Sequence, residues 1–359
     1  MSRGERKEQA GPPGKPILIE ESELTQIDQA LPVKNFRSRF AQVLKPPPHI
    51  NVTQRNHSPP RCVLTSVAPT RHGDPFMQIS PRGLTLAALL LSAATAFAAE
   101  SKFDKTLNVS GPVILSVSTG SGYIHVTPGS DSQVHIIGHV HAGTGLFSGG
   151  SAEDRVKQVV DNPPIEQSGN TITVGKHSNW IRNVAIDYEV TAPKGTSLTA
   201  ASGSGDLEIS GLQAPLSAST GSGNIHAGNV TRQANLNTGS GDINAQFEGS
   251  VNVKAETGSG SLRLHNVTGS LTAETGSGDL EVSGGPSAPW KLETGSGSVL
   301  LTTGSAAYTL DASTGSGSVH SDPPITTHGS LERHHLIGDV NGGGPRVRVE
   351  TGSGDIRIR

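Results

Sequence analysis

The sequence predicts an all-β protein, a single-chain β-solenoid (β-helix) with two short strands in each rung of about 18–19 residues. A Gly-Ser-Gly tripeptide, in most copies preceded by Thr and followed by Asp, Asn or Ser and an aliphatic residue, recurs through residues 203–359. Its copies begin at Gly203, Gly221, Gly239, Gly258, Gly276, Gly295, Gly315 and Gly352, with an outlier at Gly120. A fixed short period indicates stacked units that bury a continuous core only together.

Residues on either side of each Gly-Ser-Gly alternate between apolar and polar. Leu271 and Ala273 precede the tripeptide at Gly276, and Leu280 and Val282 follow it. Alternation with a period of two is typical of a strand with one buried face. The apolar parity changes across the tripeptide, so the chain must bend there, and glycine permits the bend. We expect seven apolar side chains to point inward: Leu207, Leu262, Leu264, Leu280, Val282, Leu292 and Ile356.

The regular repeats occupy residues 201–359, and residues 99–200 are predicted to form an irregular β region and an N-terminal cap. The segment Ser151–Val160 differs from the strand-like runs around it. Its Ser start, early acidic residues and spaced valines are typical of a short amphipathic helix, which Asn162-Pro163-Pro164 would end. A solenoid needs its first rung covered, so this helix is predicted near the cap.

Two expectations concern the C-terminal repeats. The copies at Gly315 and Gly352 are 37 residues apart, close to two periods, so Gly338-Asp339-Val340 is predicted to be a degenerate turn between them. Residues 345–359 would then form the open end, where unpaired strand edges invite association. Arginines on the exposed positions of this turn are expected to protect the edge and keep the mature protein monomeric: Arg346, Arg348, Arg357 and Arg359.

The first 98 residues differ in composition from the rest. Residues 1–76 are rich in proline, contain Cys62 and lack a sustained period, which is typical of a disordered segment or a mis-annotated extension. Residues 77–98 combine Arg82, a short apolar run and Ala96-Phe97-Ala98, the pattern of a secretory signal peptide. Cleavage after Ala98 would leave no membrane span. The alternative is a single-pass anchor behind a Pro-rich tail.

The charge of residues 99–359 limits the possible partners. This part of the chain carries 24 Asp and Glu against 16 Lys and Arg. Nucleic acid binding needs a cationic face, so nucleic acid is not expected as a partner. We expect export to the periplasm, to the cell surface or into the medium.

Three features together resemble a known family: the repeated Thr-Gly-Ser-Gly-Asp-Leu/Ile turns, the signal-like N-terminus, and the lead-in Asp-Tyr-Glu-Val-Thr-Ala-Pro-Lys-Gly at residues 187–195. They resemble the bacterial "putative adhesin" family of exported β-helical domains of unknown function, over about residues 105–359. The resemblance implies a β-helical fold and supplies no catalytic residues.

One column of the repeats is acidic. The residue before the motif Thr is Glu256, Glu274 and Glu293 on three consecutive rungs. Like charges directly opposite one another on neighbouring strands are mutually destabilising. The column is either a solvated face that keeps the sheet soluble or an interaction stripe for a cation or a basic partner.

Two patterns in the sequence resemble metal-binding sites, and neither is complete. His139 and His141 share one face of a predicted strand, where an imidazole pair for zinc or copper is geometrically possible, but no cysteine or fixed carboxylate completes a set. The turns resemble calcium-binding β-rolls. However, two adjacent rungs never both supply Asp after Gly-Ser-Gly, so turn capping is the better interpretation. We predict no cofactor.

The sequence therefore predicts a non-enzymatic, exported, adhesin-like interaction scaffold associated with the envelope or a surface. A long repetitive face suits many weak contacts with an unidentified surface, glycan or envelope component. One alternative is a polysaccharide-acting enzyme, which would need two carboxylates about 5–10 Å apart. The other is a periplasmic metal-binding module that uses His139, His141 or the glutamate column.

Overall fold

A computed structural model describes residues 99–143, 151–175, 183–328 and 332–359. The chain divides at Ala88, and every described residue belongs to the second unit, Leu89–Arg359. The predicted segments 1–76 and 77–98 lie outside the described residues. Within the described ranges, no helix has the length and apolar character needed to cross a bilayer.

The described residues form two large sheets and one helix, α1 (Ala152–Asp161). Sheet A has twelve strands in the spatial order β1 (Ala99–Asn108), β4 (Gln133–Ala142), β7 (Val184–Ala192), β3 (Ile124–Pro128), β9 (Leu207–Ser210), β11 (Ile225–Val230), β13 (Ile243–Phe247), β15 (Leu262–Val267), β17 (Leu280–Gly284), β19 (Val299–Thr302), β25 (Ile356–Ile358) and β21 (Val319–Ser321).

Sheet B has thirteen strands in the order β22 (Ile325–Thr327), β23 (His335–Val340), β20 (Tyr308–Ser316), β24 (Arg346–Ser353), β18 (Trp290–Ser296), β16 (Leu271–Ser277), β14 (Val253–Ser259), β12 (Ala234–Ser240), β10 (Leu216–Thr220), β8 (Ser197–Ser202), β2 (Ile114–Thr119), β6 (Thr171–Val174) and β5 (Ile165–Ser168).

Each repeat contributes one strand to each sheet, and equivalent residues of neighbouring repeats pair in parallel. Thr257 pairs with Thr275 in sheet B, and Leu262 pairs with Leu280 in sheet A. The predicted β-solenoid with two strands per rung is confirmed. Apolar side chains of both sheets share one core, and the seven side chains expected to point inward are all buried.

The corner at Gly-Ser-Gly explains why the motif begins with Thr and ends with Gly. The buried Thr275 hydroxyl donates to the carbonyl oxygen of Gly260 in the preceding rung at 2.9 Å. A Cβ on Gly278 would lie 2.0 Å from the same oxygen. The rungs therefore approach too closely for a side chain. An equivalent hydroxyl bond is made by Ser202, Thr220, Thr238, Thr257, Thr294, Thr314 and Thr351.

The order of rungs at the C-terminal end differs from the order in the chain. β24 pairs with β18 on one side and with β20 on the other, and β25 lies between β19 and β21. The prediction that Gly338-Asp339-Val340 forms a degenerate turn is wrong. These residues belong to β23, which runs antiparallel to β20, whereas a rung requires a parallel strand.

The expectation that residues 345–359 form the open end is also wrong, because β24 lies between β18 and β20 and β25 lies between β19 and β21. The four arginines do occupy exposed positions, but on a rung with neighbours on both sides, so they protect no open edge and give no reason to expect a monomer. The C-terminal edges of the sheets are β21 and β22, with three residues each.

The N-terminal end is also built from residues that are distant in sequence. The copy at Gly120 joins β2 to β3, and the Gly203 N–H donates to the carbonyl oxygen of Thr119 at 3.0 Å. This outlier is therefore the first rung, stacked directly on β8 and β9. Between β3 and β8 the chain forms β4 to β7 and the helix.

The predicted helix is confirmed as α1. The Ser151 hydroxyl caps it by accepting from the Asp154 N–H at 3.0 Å, and Asn162 is the C-terminal cap. Its apolar side, including Val156 and Val159, is buried against β1 and β4, at the N-terminal end of sheet A. The helix thus covers the end of the core where the prediction placed it.

Candidate functional site

The outer face of sheet B carries the acidic column in register. Glu256 pairs with Glu274 on the next strand, and Glu274 pairs with Glu293. Because β24 stacks on β18, Glu350 pairs with Glu293 and adds a fourth carboxylate. We call these four residues the glutamate stripe.

Basic side chains beside the glutamate stripe compensate its charge. The Lys291 ammonium group lies 2.7 Å from a carboxylate oxygen of Glu274 and 2.9 Å from one of Glu293. These hydrogen bonds raise the pKa of Lys291 above its ordinary value. Two further pairs, Lys254 with Glu256 at 2.8 Å and Arg348 with Glu350 at 2.9 Å, extend the pattern. The stripe and these basic neighbours together form a ladder of acidic and basic side chains, which we call the charged ladder.

The next four strands on the N-terminal side of β14 are uncharged at the equivalent positions of this outer face. On β2, β8, β10 and β12, the positions equivalent to the ladder hold only small polar residues or alanine. They are Ser116, Ser118, Thr199, Ala201, Ser217, Ser219, Asn235 and Asn237. The charged ladder therefore begins at β14 and occupies the C-terminal half of the face.

His139 and His141 lie on β4, on the outer side of sheet A. The sequence alone indicates no carboxylate to complete a ligand set with them, and strand pairing brings three carboxylates near. His139 is 3.5 Å from a Glu189 oxygen, and His141 is 3.2 Å from Asp187 and 3.9 Å from Glu100. These carboxylates belong to β7 and β1, which are distant from β4 in the chain but pair with it. Across the described ranges, no group of three or more His, Cys, Asp or Glu side chains is arranged to hold a metal ion.

The residue after Gly-Ser-Gly caps the backbone of the next rung. An Asp206 oxygen accepts from the Asn224 N–H at 2.7 Å, and the Asn224 side chain accepts from the Asp242 N–H at 2.9 Å. Asp355 accepts from the N–H and the hydroxyl of Ser318, and these bonds lower its pKa. The side-chain oxygens are thus used within the turns, as the capping interpretation predicts.

The regular part of this architecture matches a known family. Residues 147–359 match the family model described as Toastrack DUF4097. The chain belongs to the Toastrack DUF4097 family. The matched residues include α1 and every strand from β5 to β25, whereas the first rung, β2 and β3, precedes the match.

Comparison of this Toastrack chain with individual proteins adds two solved structures. A "putative cell adhesion protein" from Clostridium sporogenes is 15% identical, with a TM-score of 0.27, covering 72% of this chain and 99% of that chain. A "putative adhesin" from Bacteroides fragilis is 11% identical, with a TM-score of 0.24, covering 72% and 97%. No curated protein matches the chain.

The Toastrack chain also has a pocket of about 450 Å³ beside the first rung. It is lined by Gly120, Ser121, His141, Ala142, Gly143, Asn183, Val184 and Ala185. His141 is the one ionisable side chain in this lining. The pair of carboxylates that a glycosidase requires is not among these residues.

Proposed function

We propose that this Toastrack protein is an exported, non-enzymatic, adhesin-like scaffold that binds an envelope or surface glycan through the charged half of the outer face of sheet B. The observation that carries the proposal is the glutamate stripe with its basic neighbours. Four adjacent strands present carboxylates in register, and three of them, β14, β18 and β24, also present a basic group. Strand spacing repeats this pattern at about 4.8 Å.

The ion pairs of the ladder are available for exchange with a partner. The side chains of Glu274 and Lys291 are 37% and 44% exposed, so solvent screens their attraction. Exposed pairs of this kind contribute about 0–1 kcal/mol to stability. The fold therefore does not depend on them, and a ligand can replace them at small cost.

The chemistry of the ladder suits a polymer with hydroxyl, amino and carboxylate groups. Charged donors and acceptors form stronger hydrogen bonds than neutral ones do. Contacts at successive rungs add up through multivalency, although each is weak. A rigid β-solenoid holds the groups at a fixed spacing, which avoids the entropy cost of ordering them on binding.

Binding of the purified protein to envelope fractions and to isolated surface polysaccharides, at increasing salt, tests the proposal. The triple variant Glu256→Lys, Glu274→Lys and Glu293→Lys should lose the salt-sensitive binding. A control with the same change in net charge uses exposed acidic residues elsewhere: Glu153→Lys, Glu208→Lys and Glu248→Lys.

The control should bind as the wild type does. Equal binding by the wild type and both variants would show that the stripe is only a solvated face, and would overturn the proposal. Release of shortened polysaccharide chains in the same assay would favour the enzyme instead.

A further inference from the structure

The four ends of the two sheets differ in length. Sheet A ends on β21 and sheet B on β22, each of three residues, and the other end of sheet B is the four-residue β5. The remaining end is β1, with ten residues, and among the described strands it pairs only with β4. A long edge strand presents a row of unpaired N–H and C=O groups that can template another strand.

We propose that two copies of this chain associate through the outer edges of β1, antiparallel about a two-fold axis at Phe103. The axis would place Lys102 of each copy opposite Asp104 of the other, and Ser101 opposite Lys105. Opposite charges in directly opposed positions stabilise an antiparallel pair. Sheet A would then continue through both molecules.

The charges of β1 select this register over its neighbours. With the axis at Lys102, the two Lys102 side chains would oppose each other, and Glu100 would oppose Asp104. With the axis at Asp104, the two Asp104 side chains would oppose each other. Like charges in opposed positions are destabilising, so both shifted registers are disfavoured. An isologous contact of this kind closes as a dimer and does not propagate.

The centre of β1 is held in position before association. The Phe103 side chain is only 4% exposed, and its ring centroid lies 6.4 Å from that of Tyr188, edge to face. Gly138 on β4 leaves room for the ring, because a Cβ there would lie 2.2 Å from it. On the outer side, Asp104 is 2.7 Å from His135. A strand ordered in advance loses less conformational entropy on pairing.

The interface goes beyond the proposed function, since it uses the edge of sheet A and the ligand face is on sheet B. Sedimentation equilibrium of the full chain is the test. The wild type should show a concentration-dependent dimer. Lys102→Glu and Asp104→Lys each create two like-charge contacts across the axis, so each should raise the dimer dissociation constant at least about tenfold.

Mixing the two variants gives the decisive result. A heterodimer pairs Glu at position 102 of one copy with Lys at position 104 of the other, and Asp104 with Lys102, so the equimolar mixture should regain dimers. Arg232→Glu, an exposed substitution outside β1, should leave the dimer unchanged. Circular dichroism should show that Lys102→Glu is folded, because Lys102 forms no ion pair with another residue in the part of the chain that the structure describes.

Three sedimentation results would overturn the inference. They are a wild type that remains monomeric at every concentration, single variants that still dimerise, and a mixture that stays monomeric. Hydrogen exchange should also show that amides of β1 gain protection as the wild-type concentration rises. Unchanged exchange in β1 of a dimeric sample would place the contact elsewhere.

Discussion

Thr351 donates its hydroxyl hydrogen bond to the carbonyl oxygen of Gly297 at 2.9 Å, although 54 residues separate the two in the chain. On the other side, Thr314 donates to the carbonyl oxygen of Gly354 at 2.9 Å. The C-terminal rung is therefore held between two rungs that precede it in sequence. The rung of β20 and β21 gains its parallel neighbour only when the last residues of the chain are in place.

A chain that ends at Gly344 should lose the order of its C-terminal strands. Without β24 and β25, β20 and β21 have no parallel neighbour, so hydrogen exchange should accelerate in β20 to β23 and remain slow in β8 to β16. The matched control replaces Arg346, Arg348, Arg357 and Arg359 with Thr, which keeps the rung and removes only its exposed charges. Protection equal to that of the wild type in the truncated chain would contradict the observed rung order.

Thr238→Val should lower the free energy of unfolding by about 1–3 kcal/mol, because the Gly223 carbonyl oxygen loses its partner in a buried corner. Thr238→Ser retains the hydroxyl and should cost less. Ser202, at the equivalent position of another rung, makes the same bond. Guanidinium denaturation measures both variants. A smaller loss of unfolding free energy for Thr238→Val than for Thr238→Ser would contradict the prediction. It would show that packing, and not the hydrogen bond, accounts for the stabilising effect of this residue.

Gly278→Ala should destabilise the protein more than Gly249→Ala does. Both glycines have positive φ angles, +154° and +77°, which side-chained residues rarely adopt, so both substitutions carry backbone strain of about 1–3 kcal/mol. Only Gly278 also faces the backbone of the preceding rung, with the Gly260 oxygen 2.0 Å from the added Cβ, whereas nothing lies within 4 Å at Gly249. Thermal denaturation compares the two, and equal losses would rule out close approach of the rungs as the cause.

Asp311 should make the C-terminal rungs sensitive to acid. Burial raises its pKa, but hydrogen bonds from Arg346 and His335 outweigh burial, so the pKa lies below its ordinary value. A group with a lowered folded pKa stabilises the fold above its unfolded pKa, near 3.9, and this contribution is lost as pH falls through the folded pKa.

Asp311→Asn should therefore lose less stability than the wild type between neutral pH and about pH 3, with a difference below about 1 kcal/mol because Arg346 is exposed. Asp131→Asn, in an exposed turn, controls for the loss of one carboxylate. Unfolding free energies across this pH range provide the comparison. Parallel pH profiles for the wild type and Asp311→Asn would refute the assignment.

Mass spectrometry of the protein recovered from its native source should find a mature N-terminus near Ala99. The residues before Ala99 combine a basic residue, a short apolar run and Ala96-Phe97-Ala98, the pattern that signal peptidase cleaves. Peptides from residues 1–76 in the same sample would instead establish an uncleaved N-terminal tail.

The repeat could be predicted from the sequence because it arises from features within each repeat. Each Gly-Ser-Gly marks a corner that side chains cannot occupy, and alternation on either side assigns the inward residues, as Leu264 and Leu280 show. The helix at Ala152–Asp161 was equally predictable, since Ser151 caps it through a contact three residues away.

The order in which the rungs stack was decided only by the tertiary structure. Parallel ladders between near-identical repeats form equally well with any neighbouring copy, so the sequence contains no local signal that β24 lies between β18 and β20. The antiparallel strands β22 and β23 turn the chain back and leave that place for the last rung. The same rearrangement brought Glu350 into line with Glu293, and strand pairing across long separations brought Asp187 to His141. Contacts of this kind depend on the path of the chain between repeats, which periodicity does not encode.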